Sequence, residues 1–477
     1  MATDELRGRR VLVAGLGVSG RAAAGALRTA GAEVTTLDEN DADADVVRQE
    51  DVDLAGLDLV VASPGWAPSS PVLVAAAERG VPVWSEVELA WRLRADRDGG
   101  RGPAPWLVVT GTNGKTTTVG MLGAILTAAG ERAAVVGNVG TPVVEAATDP
   151  ALDVLAVELS SFQLHYTSTM AAQAAAVLNI APDHLDWHGS FDAYVEDKAR
   201  IFERVEVACV YGAGDDVVEG LVREADVADG ARATAVTLGA PGPGQLGVVD
   251  GILVDRAFHT LLDDPHRQKS AAELGTVEDL AALESDDGRL PPHLVVDALT
   301  AAALARAHGV PARAVREGLR AYSPGAHRIA LVATVDGVRY VDDSKATNAH
   351  AASASLAGQA SGSVVWIAGG LAKGARFEDL VAQRADRLRA VVLIGVDAEP
   401  WSQALARHAP AIPVVRIDPA DTGRVMTRAV SEAQRLAVAG TTVLLAPAAA
   451  SMDQFASYAD RGEAFGRAVR SLADQDR

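Results

Sequence analysis

Apolar residues recur along the chain in short runs such as Val11-Leu-Val-Ala and Trp106-Leu-Val-Val, each followed by a glycine-rich turn and then an alanine-rich stretch. Runs of this length bounded by turn residues read as buried strands and the stretches between them as helices, the alternation of a parallel α/β sheet. The pattern predicts strands at 10–14, 33–37 and 58–62, then at 106–110, 133–136, 154–158 and 176–179. A last set follows at 339–341, 363–368, 390–394, 413–417 and 442–446. Two stretches break the alternation. Residues 94–105 (RADRDGGRGPAP) are charged and rich in Gly and Pro, with no apolar period, and near Tyr322-Ser-Pro-Gly-Ala a helical run ends in turn chemistry. The expected domains are 1–97, 105–322 and 323–477, with no internal repeat.

Length agrees with that division, since 477 residues at roughly 150 per domain give about three. Hydrophobic residues make up 49% of the chain, yet every apolar run stops well short of the ~18 residues that a membrane span needs. The first ten residues carry charges of both signs and lead straight into a strand, unlike a secretory leader. One cysteine, Cys209, rules out an intrachain disulfide framework. A soluble, cytoplasmic monomer is expected. Against 63 acidic residues stand 43 basic ones, a net charge of −20 that repels nucleic-acid backbones and anionic lipid surfaces, so neither a nucleic-acid polymer nor a membrane is an expected partner.

Only five of the basic residues are lysine: Lys115, Lys198, Lys269, Lys345 and Lys373. In a chain that uses arginine wherever a surface cation suffices, lysine marks places needing a compact ammonium or an amine that can lose its proton. Chance scatter is the alternative.

Gly15-Leu-Gly17-Val-Ser-Gly20 follows the first strand and opens a helix, and Asp38 ends the next strand. That spacing suits a diphosphate on a helix N-terminus and an acid near a ribose, although glycines serving only a tight turn would look the same. Thr110-Gly-Thr-Asn-Gly-Lys115-Thr116-Thr117 again joins a strand to a helix. Its glycines let backbone N–H groups face a phosphate, Lys115 can neutralise terminal phosphates, and Thr116 can offer a hydroxyl to Mg²⁺. The loop is shorter than the full phosphate-loop pattern, with Val109 where the first glycine would stand.

Glu158 ends one strand, and Asp183-His184-Leu-Asp186-Trp-His188 follows another. Two histidines four apart could suggest zinc, but Leu185 replaces the glutamate of that motif and no cysteine cluster exists, so oxygen ligands beside a phosphate loop favour Mg²⁺. His188 reads better as a packing residue. Lys198, on the helix beyond, would be repelled by a cation. Either it pairs with a carboxylate or its neutral amine has reacted with CO₂ to give a carbamate, an oxygen ligand that arginine could not supply. In the last segment, strand-end loops carry Asp343-Ser-Lys345-Ala-Thr347, Lys373 and Ser451, hydroxyls and cations suited to a small carboxylate.

Together, GTNGKTT at 111–117, ELSSFQL at 158–164, DSKATN at 343–348 and PAAASMDQF at 447–455 resemble the Mur ligase family over nearly the whole chain. The last three are similar to its branch that adds D-glutamate to a cell-wall precursor. The resemblance implies an α/β protein of three domains: an N-terminal Rossmann-like domain for a UDP group, a central P-loop ATPase domain with a parallel sheet, and a C-terminal Rossmann-like domain that brings the amino acid. It implies ATP and Mg²⁺, with UDP-N-acetylmuramoyl-L-alanine and D-glutamate as substrates. Leu16, Gly17, Val18, Ser19 and Asp38 match positions that hold the UDP end, and Asn138 and Ser160 match positions that touch the muramoyl part. Gly111, Thr112, Asn113, Gly114, Lys115, Thr116 and Thr117, with Arg328 after His327 and with Asp343, match ATP positions. Thr116, Glu158, His184 and a carbamoylated Lys198 match metal positions, so that Lys115, Glu158, His184 and Lys198 carry the chemistry. Lys345, Thr347, Lys373, Ser451 and Tyr458 match positions facing D-glutamate.

Three departures stand out. Leu294 and Asp297 replace the two asparagines of a His-Asn-x-x-Asn motif that contacts adenine, Ala330 replaces a glutamate, and Tyr458 stands where phenylalanine is common. The chemistry implied is activation of a carboxylate by ATP to an acyl phosphate, followed by attack of an amine. Two rivals remain on sequence alone: an oxidoreductase using the N-terminal fingerprint for a dinucleotide, and a non-catalytic nucleotide-binding module. Within ligases, a sibling that adds L-glutamate or another amino acid is the closest alternative.

Overall fold

A computed structural model describes residues 5–138, 140–284, 290–323, 329–372, 375–420 and 423–475. Arg328, His327 and Lys373, all expected at the site, lie outside these residues. Three sheets organise the chain. The first contains β1 (Arg10–Ala14), β2 (Glu33–Leu37), β3 (Leu59–Ala62) and β4 (Val83–Ser85), all parallel in the order β2-β1-β3-β4. Residues 11–14 and 59–62 are buried throughout, as helices on both faces of a parallel sheet require.

The central sheet has nine strands: β5 (Trp106–Thr110), β6 (Ala133–Gly137), β7 (Val154–Glu158), β8 (Ala174–Val177), β9 (Ala208–Gly212), β10 (Arg232–Val236), β11 (Gln245–Val249), β12 (Ile252–Asp255) and β13 (Ala272–Thr276). Their order is β13-β12-β11-β10-β9-β8-β5-β7-β6, parallel from β6 to β11 and antiparallel over β11, β12 and β13. The chain turns to opposite sides of β5 on either side of it, so the loop after β5 sits at a topological switch point, where such sheets bind ligands. The third sheet contains β14 (Ala330–Val335), β15 (Val338–Asp342), β16 (Val364–Gly369), β17 (Leu388–Ile394), β18 (Val414–Arg416) and β19 (Thr442–Leu445) in the order β14-β15-β19-β16-β17-β18. Only β14 runs antiparallel. Because β15, β19 and β16 are neighbours, the loops that leave their carboxyl ends lie side by side.

The first two sheets share one compact unit (Met1–Glu284 and Arg289–Ser323), and the third sheet belongs to a second (Pro324–Arg477). Polar side chains on the short helix Glu86–Leu93 explain the union. Glu88, 0% exposed, accepts hydrogen bonds from the amides of Ser168 (2.8 Å) and Thr169 (2.9 Å), from the Thr169 hydroxyl (2.6 Å) and from Arg92 Nε (2.8 Å). Ser85 Oγ meets Thr167 Oγ1 at 2.8 Å, and the Val144 amide donates to Glu86 at 3.1 Å. The charged stretch at 94–105, where the expected domains 1–97 and 105–322 meet, is itself tied down. Asp96 pairs with Pro103, Arg97 donates to the carbonyls of Gly102, Arg101 and Asp153, and Arg101 and Arg132 both pair with Asp153.

Burial lifts the Glu86 carboxyl from its ordinary 4.5 to about 7, against hydrogen bonds from Val144, Val143 and Ser19. Below the unfolded value both states hold the proton. Between the two values the native state holds more protons than the unfolded one, so stability falls as pH rises, by about 3 kcal/mol in all. The uncharged variant Glu86→Gln is therefore expected to gain about 3 kcal/mol relative to the parent between pH 4 and pH 8. Urea denaturation at the two pH values measures this, and a pH-independent difference would contradict it.

No helix among the described residues is long and apolar enough to cross a membrane.

Candidate active site

The loop after β5 is shaped by glycines. Gly114 caps the helix Lys115–Ala128 in the left-handed region (φ 84°), and a Cβ there would stand 2.6 Å from Asp297 Oδ1. The Lys115 ammonium folds back to donate to the carbonyls of Gly111 (2.8 Å) and Thr112 (2.9 Å). Asn179, just past β8, holds the loop from outside: its carbonyl accepts from Thr112 N (2.9 Å), its Oδ1 from Asn113 N (2.9 Å), and its Nδ2 donates to Asn113 O (3.1 Å). Thr112 Oγ1 meets the buried Tyr194 hydroxyl at 2.9 Å and accepts from Ala181 N at 2.9 Å. The N-terminus of the helix Lys115–Ala128 thus faces the switch point, as anion sites do.

Lys198, 2% exposed, reaches the same loop from the helix Phe191–Ala199. Its Nζ donates to Thr110 Oγ1 (3.2 Å) and to Gly111 O (3.1 Å), the carbonyl that Lys115 also uses. Burial and then the Lys115 charge push the Lys198 amine well below its ordinary value, against the pull of Asp183, Glu158 and Asp197. Both causes favour the neutral amine over the ammonium.

Glu158 closes β7 and is 1% exposed. Asn138 Nδ2 donates to its Oε1 at 2.9 Å, and Asn138 N to its carbonyl at 2.9 Å, so the expected muramoyl contact and the expected metal ligand are held together. Glu158 Oε2 is buried without a hydrogen-bond partner, an acceptor that a cation would complete. Ser160 caps the helix Ser161–His165 through a capping box, its Oγ accepting from Gln163 N (3.2 Å) while Gln163 Oε1 accepts from Ser160 N (2.9 Å). His184, at φ 53°, caps the short helix Leu185–His188 and keeps an exposed imidazole against the Phe162 ring at 4.8 Å. Thr116 is half-buried in the first turn of the helix after the loop. Among the described residues no three His, Cys, Asp or Glu side chains gather as a metal site. The Glu158 carboxylate and the Thr116 hydroxyl are hard oxygen donors, which suit Mg²⁺ rather than zinc.

In the same unit a cavity of about 530 Å³ opens at the carboxyl ends of β1 and β2, lined by Gly17, Val18, Ser19, Asp38, Gln49 and Trp66 among others. Leu16 N donates to Asp38 Oδ2 at 2.7 Å and Asn40 N to Oδ1 at 2.9 Å, which fixes the carboxylate at the cavity wall.

The second unit gathers another set. Ser344 Oγ donates to Tyr458 O (2.7 Å), and the Lys345 ammonium lies 4.0 Å from the centre of the Tyr458 ring. Arg461, fully buried, braces the loops after β15 and β19 by donating to Ser344 Oγ (2.9 Å), Ser344 O (2.9 Å) and Ala449 O (3.1 Å), and burial lowers its guanidinium to about 10. Thr347 N bonds Lys345 O (2.8 Å), Ser451 is 4% exposed beside Ala449, and Ser355 donates to Asp343.

Sequence reasoning passed over Asn179, Tyr194 and Arg461, which hold the loops, and it noted Asp297 only as a departure. Asn179 is the last residue of the strand expected at 176–179, a placement that singles it out. The others sit on helices with no local signal.

A glycine loop that caps a helix at a switch point, with a buried lysine and a strand-end glutamate beside it, is the arrangement expected of a ligase of the Mur type. Residues 109–239 match the Mur ligase middle domain and residues 327–449 the Mur ligase glutamate ligase domain. The chain belongs to the Mur ligase family. It is 58% identical to the UDP-N-acetylmuramoylalanine--D-glutamate ligase of Streptomyces avermitilis over 98% of this chain and 99% of that one. It is 52% identical to the enzyme of the same name from Thermobifida fusca, over 98% and 100%. A crystal structure of UDP-N-acetylmuramate-alanine ligase from Thermotoga maritima shares the fold at 15% identity, with a TM-score of 0.55 over 97% of this chain and 99% of that one.

Proposed function

We propose that this chain is an ATP-dependent ligase that joins D-glutamate to UDP-N-acetylmuramoyl-L-alanine through an acyl phosphate, in the synthesis of peptidoglycan precursors. The observation that carries the reading is the convergence on Gly111, where Lys115 and Lys198 share one carbonyl while both Glu158 and Asp183 act on Lys198.

In this reading the cavity at Asp38 takes the UDP end, and Asn138 and Ser160 guide the muramoyl part toward Glu158. Lys115 leaves its own loop carbonyls to meet the terminal phosphates of ATP, and the N-terminal amides of the helix Lys115–Ala128 orient them. Glu158, Thr116, His184 and a carbamoylated Lys198 would hold Mg²⁺, which when bound neutralises charge on the phosphoryl group in transfer. Lys345, Thr347, Ser451 and Tyr458, with Lys373, capture the carboxylates of D-glutamate. Its amine attacks the acyl carbonyl and phosphate leaves. Holding both reactants in line contributes on the order of 7–11 kcal/mol to such a step.

ADP release is the direct test. With the UDP-muramoyl-alanine substrate present, D-glutamate is expected to accelerate ADP release at least tenfold over L-glutamate and other amino acids. Equal rates with L-glutamate would assign the chain to a sibling activity, and no dependence on any amino acid would end the ligase reading.

A further inference from the structure

The mechanism leaves unused a buried polar network directly behind these residues. Asp197, 4% exposed, accepts from His165 Nδ1 at both oxygens (2.8 and 2.9 Å) and from His188 Nδ1 at Oδ2 (2.8 Å). Hydrogen bonds from the two imidazoles outweigh burial and hold the carboxyl at about 2. An ionised carboxylate only accepts, so both Nδ1 atoms are donors. On the far side of the His188 ring, Nε2 meets Ser161 Oγ at 2.9 Å. Arg200 Nε flanks the carboxylate at 3.5 Å.

The order Ser161, His188, Asp197 is that of a nucleophilic triad, but the serine is 2% exposed and the His188 side chain 0%, so no acyl group reaches it. Nor does the cluster form a metal site among the described residues. What distinguishes it is where its members come from. His165 ends the helix capped by Ser160, two residues after Glu158. His188 ends the short helix capped by His184. Asp197 precedes Lys198 on the helix Phe191–Ala199. Three separate segments, each carrying residues assigned above to metal or substrate, meet on a single carboxylate. His184 also sits at φ 53°, a conformation that a non-glycine residue keeps only where its surroundings over-determine it. The anchored His188, one turn away, supplies that constraint.

We propose that Asp197 is a positioning residue which, through His165 and His188, holds Glu158, Ser160, His184 and Lys198 in register for ligation. This rests on the ligase reading above. Among the described residues no hydrogen bond joins Asp197 to the phosphate loop, which Asn179 and Tyr194 fasten. Its loss should therefore act on the chemical step and spare the recognition of ATP and D-glutamate.

The test is steady-state kinetics of the full-length chain with Asp197→Asn, His188→Gln and His165→Gln, with thermal unfolding run in parallel. Asp197→Asn is expected to lower kcat at least 30-fold while KM for ATP and for D-glutamate stay within threefold of the parent. Each histidine variant, which keeps one arm of the network, is expected to lose about fivefold. Asp197→Asn with kcat within threefold of the parent would overturn the proposal, as would a loss spread equally over all KM values. Should Asp197→Asn fail to fold, the histidine variants decide: parental kcat in both overturns it. A parent chain without D-glutamate-dependent ADP release would instead refute the ligase reading, and the positioning role with it.

Discussion

Lys198→Arg is expected to lose about 10³-fold in kcat, the scale of removing a group that stabilises transition-state charge, while the chain still folds. The lysine is 2% exposed and donates to Thr110 Oγ1 and Gly111 O, and its amine is held well below the ordinary value by burial and by Lys115. Arginine cannot respond in that way. Its guanidinium stays charged, places a fixed cation against Lys115, and cannot combine with CO₂ to present oxygen toward Glu158. Extra volume in a packed site adds strain of about 1–3 kcal/mol, which thermal unfolding will separate from the catalytic loss. Single-turnover ADP formation is the measurement, and a variant within tenfold of the parent would sink the carbamate assignment.

Gly114→Ala is expected to raise KM for ATP about 100-fold, equivalent to roughly 3 kcal/mol of binding. The residue lies at φ 84°, and its new methyl would stand 2.6 Å from Asp297 Oδ1 and 3.0 Å from Leu178 Cδ1. Left-handed backbone costs an alanine about 1–2 kcal/mol. Relieving the contact requires the loop or the helix carrying Asp297 to move, and either change turns the first amides of the helix Lys115–Ala128 away from the phosphates. Trimming the partner in a Gly114→Ala, Asp297→Ala double variant removes the collision but not the backbone cost, so partial recovery is expected. An unchanged KM for ATP in the single variant would show that the loop tolerates other conformations.

Strands buried on both faces were the most legible part of the fold. The runs at 10–14, 106–110 and 154–158 coincide with β1, β5 and β7, whose Val and Leu residues are all buried. The expected strand at 176–179 begins at Ala174 instead. Alanine sets no register of its own, and Asn179 is drawn out of the strand by its hydrogen bonds to Asn113. Two antiparallel hairpins went unread although each carries an Asp-Gly turn, Asp250-Gly251 between β11 and β12 and Asp336-Gly337 between β14 and β15, all four residues at positive φ. An Asp-Gly pair between apolar runs is a hairpin signal in itself, and here it stands among strands that otherwise alternate with helices.

At the site, residues adjacent in sequence were legible and residues adjacent only in space were not. Glycines and a lysine on one loop announce a phosphate site. Nothing in the spacing of His165, His188 and Asp197 announces a shared hydrogen-bond network, because three helix ends must fold before the pairs exist. Asp297 was legible as an oddity, and only the structure sets its carboxylate against Gly114.

Glu86 and Glu88 bind backbone amides across the seam between the first two sheets, so the cavity at Asp38 and the carboxylate of Glu158 belong to one body. In the proposed reading that body works as a gauge. A substrate seated by its uridine end delivers its reactive carboxyl to Glu158 only if the chain between them has the right length, so a precursor one residue longer or shorter is rejected by reach before any side chain is read.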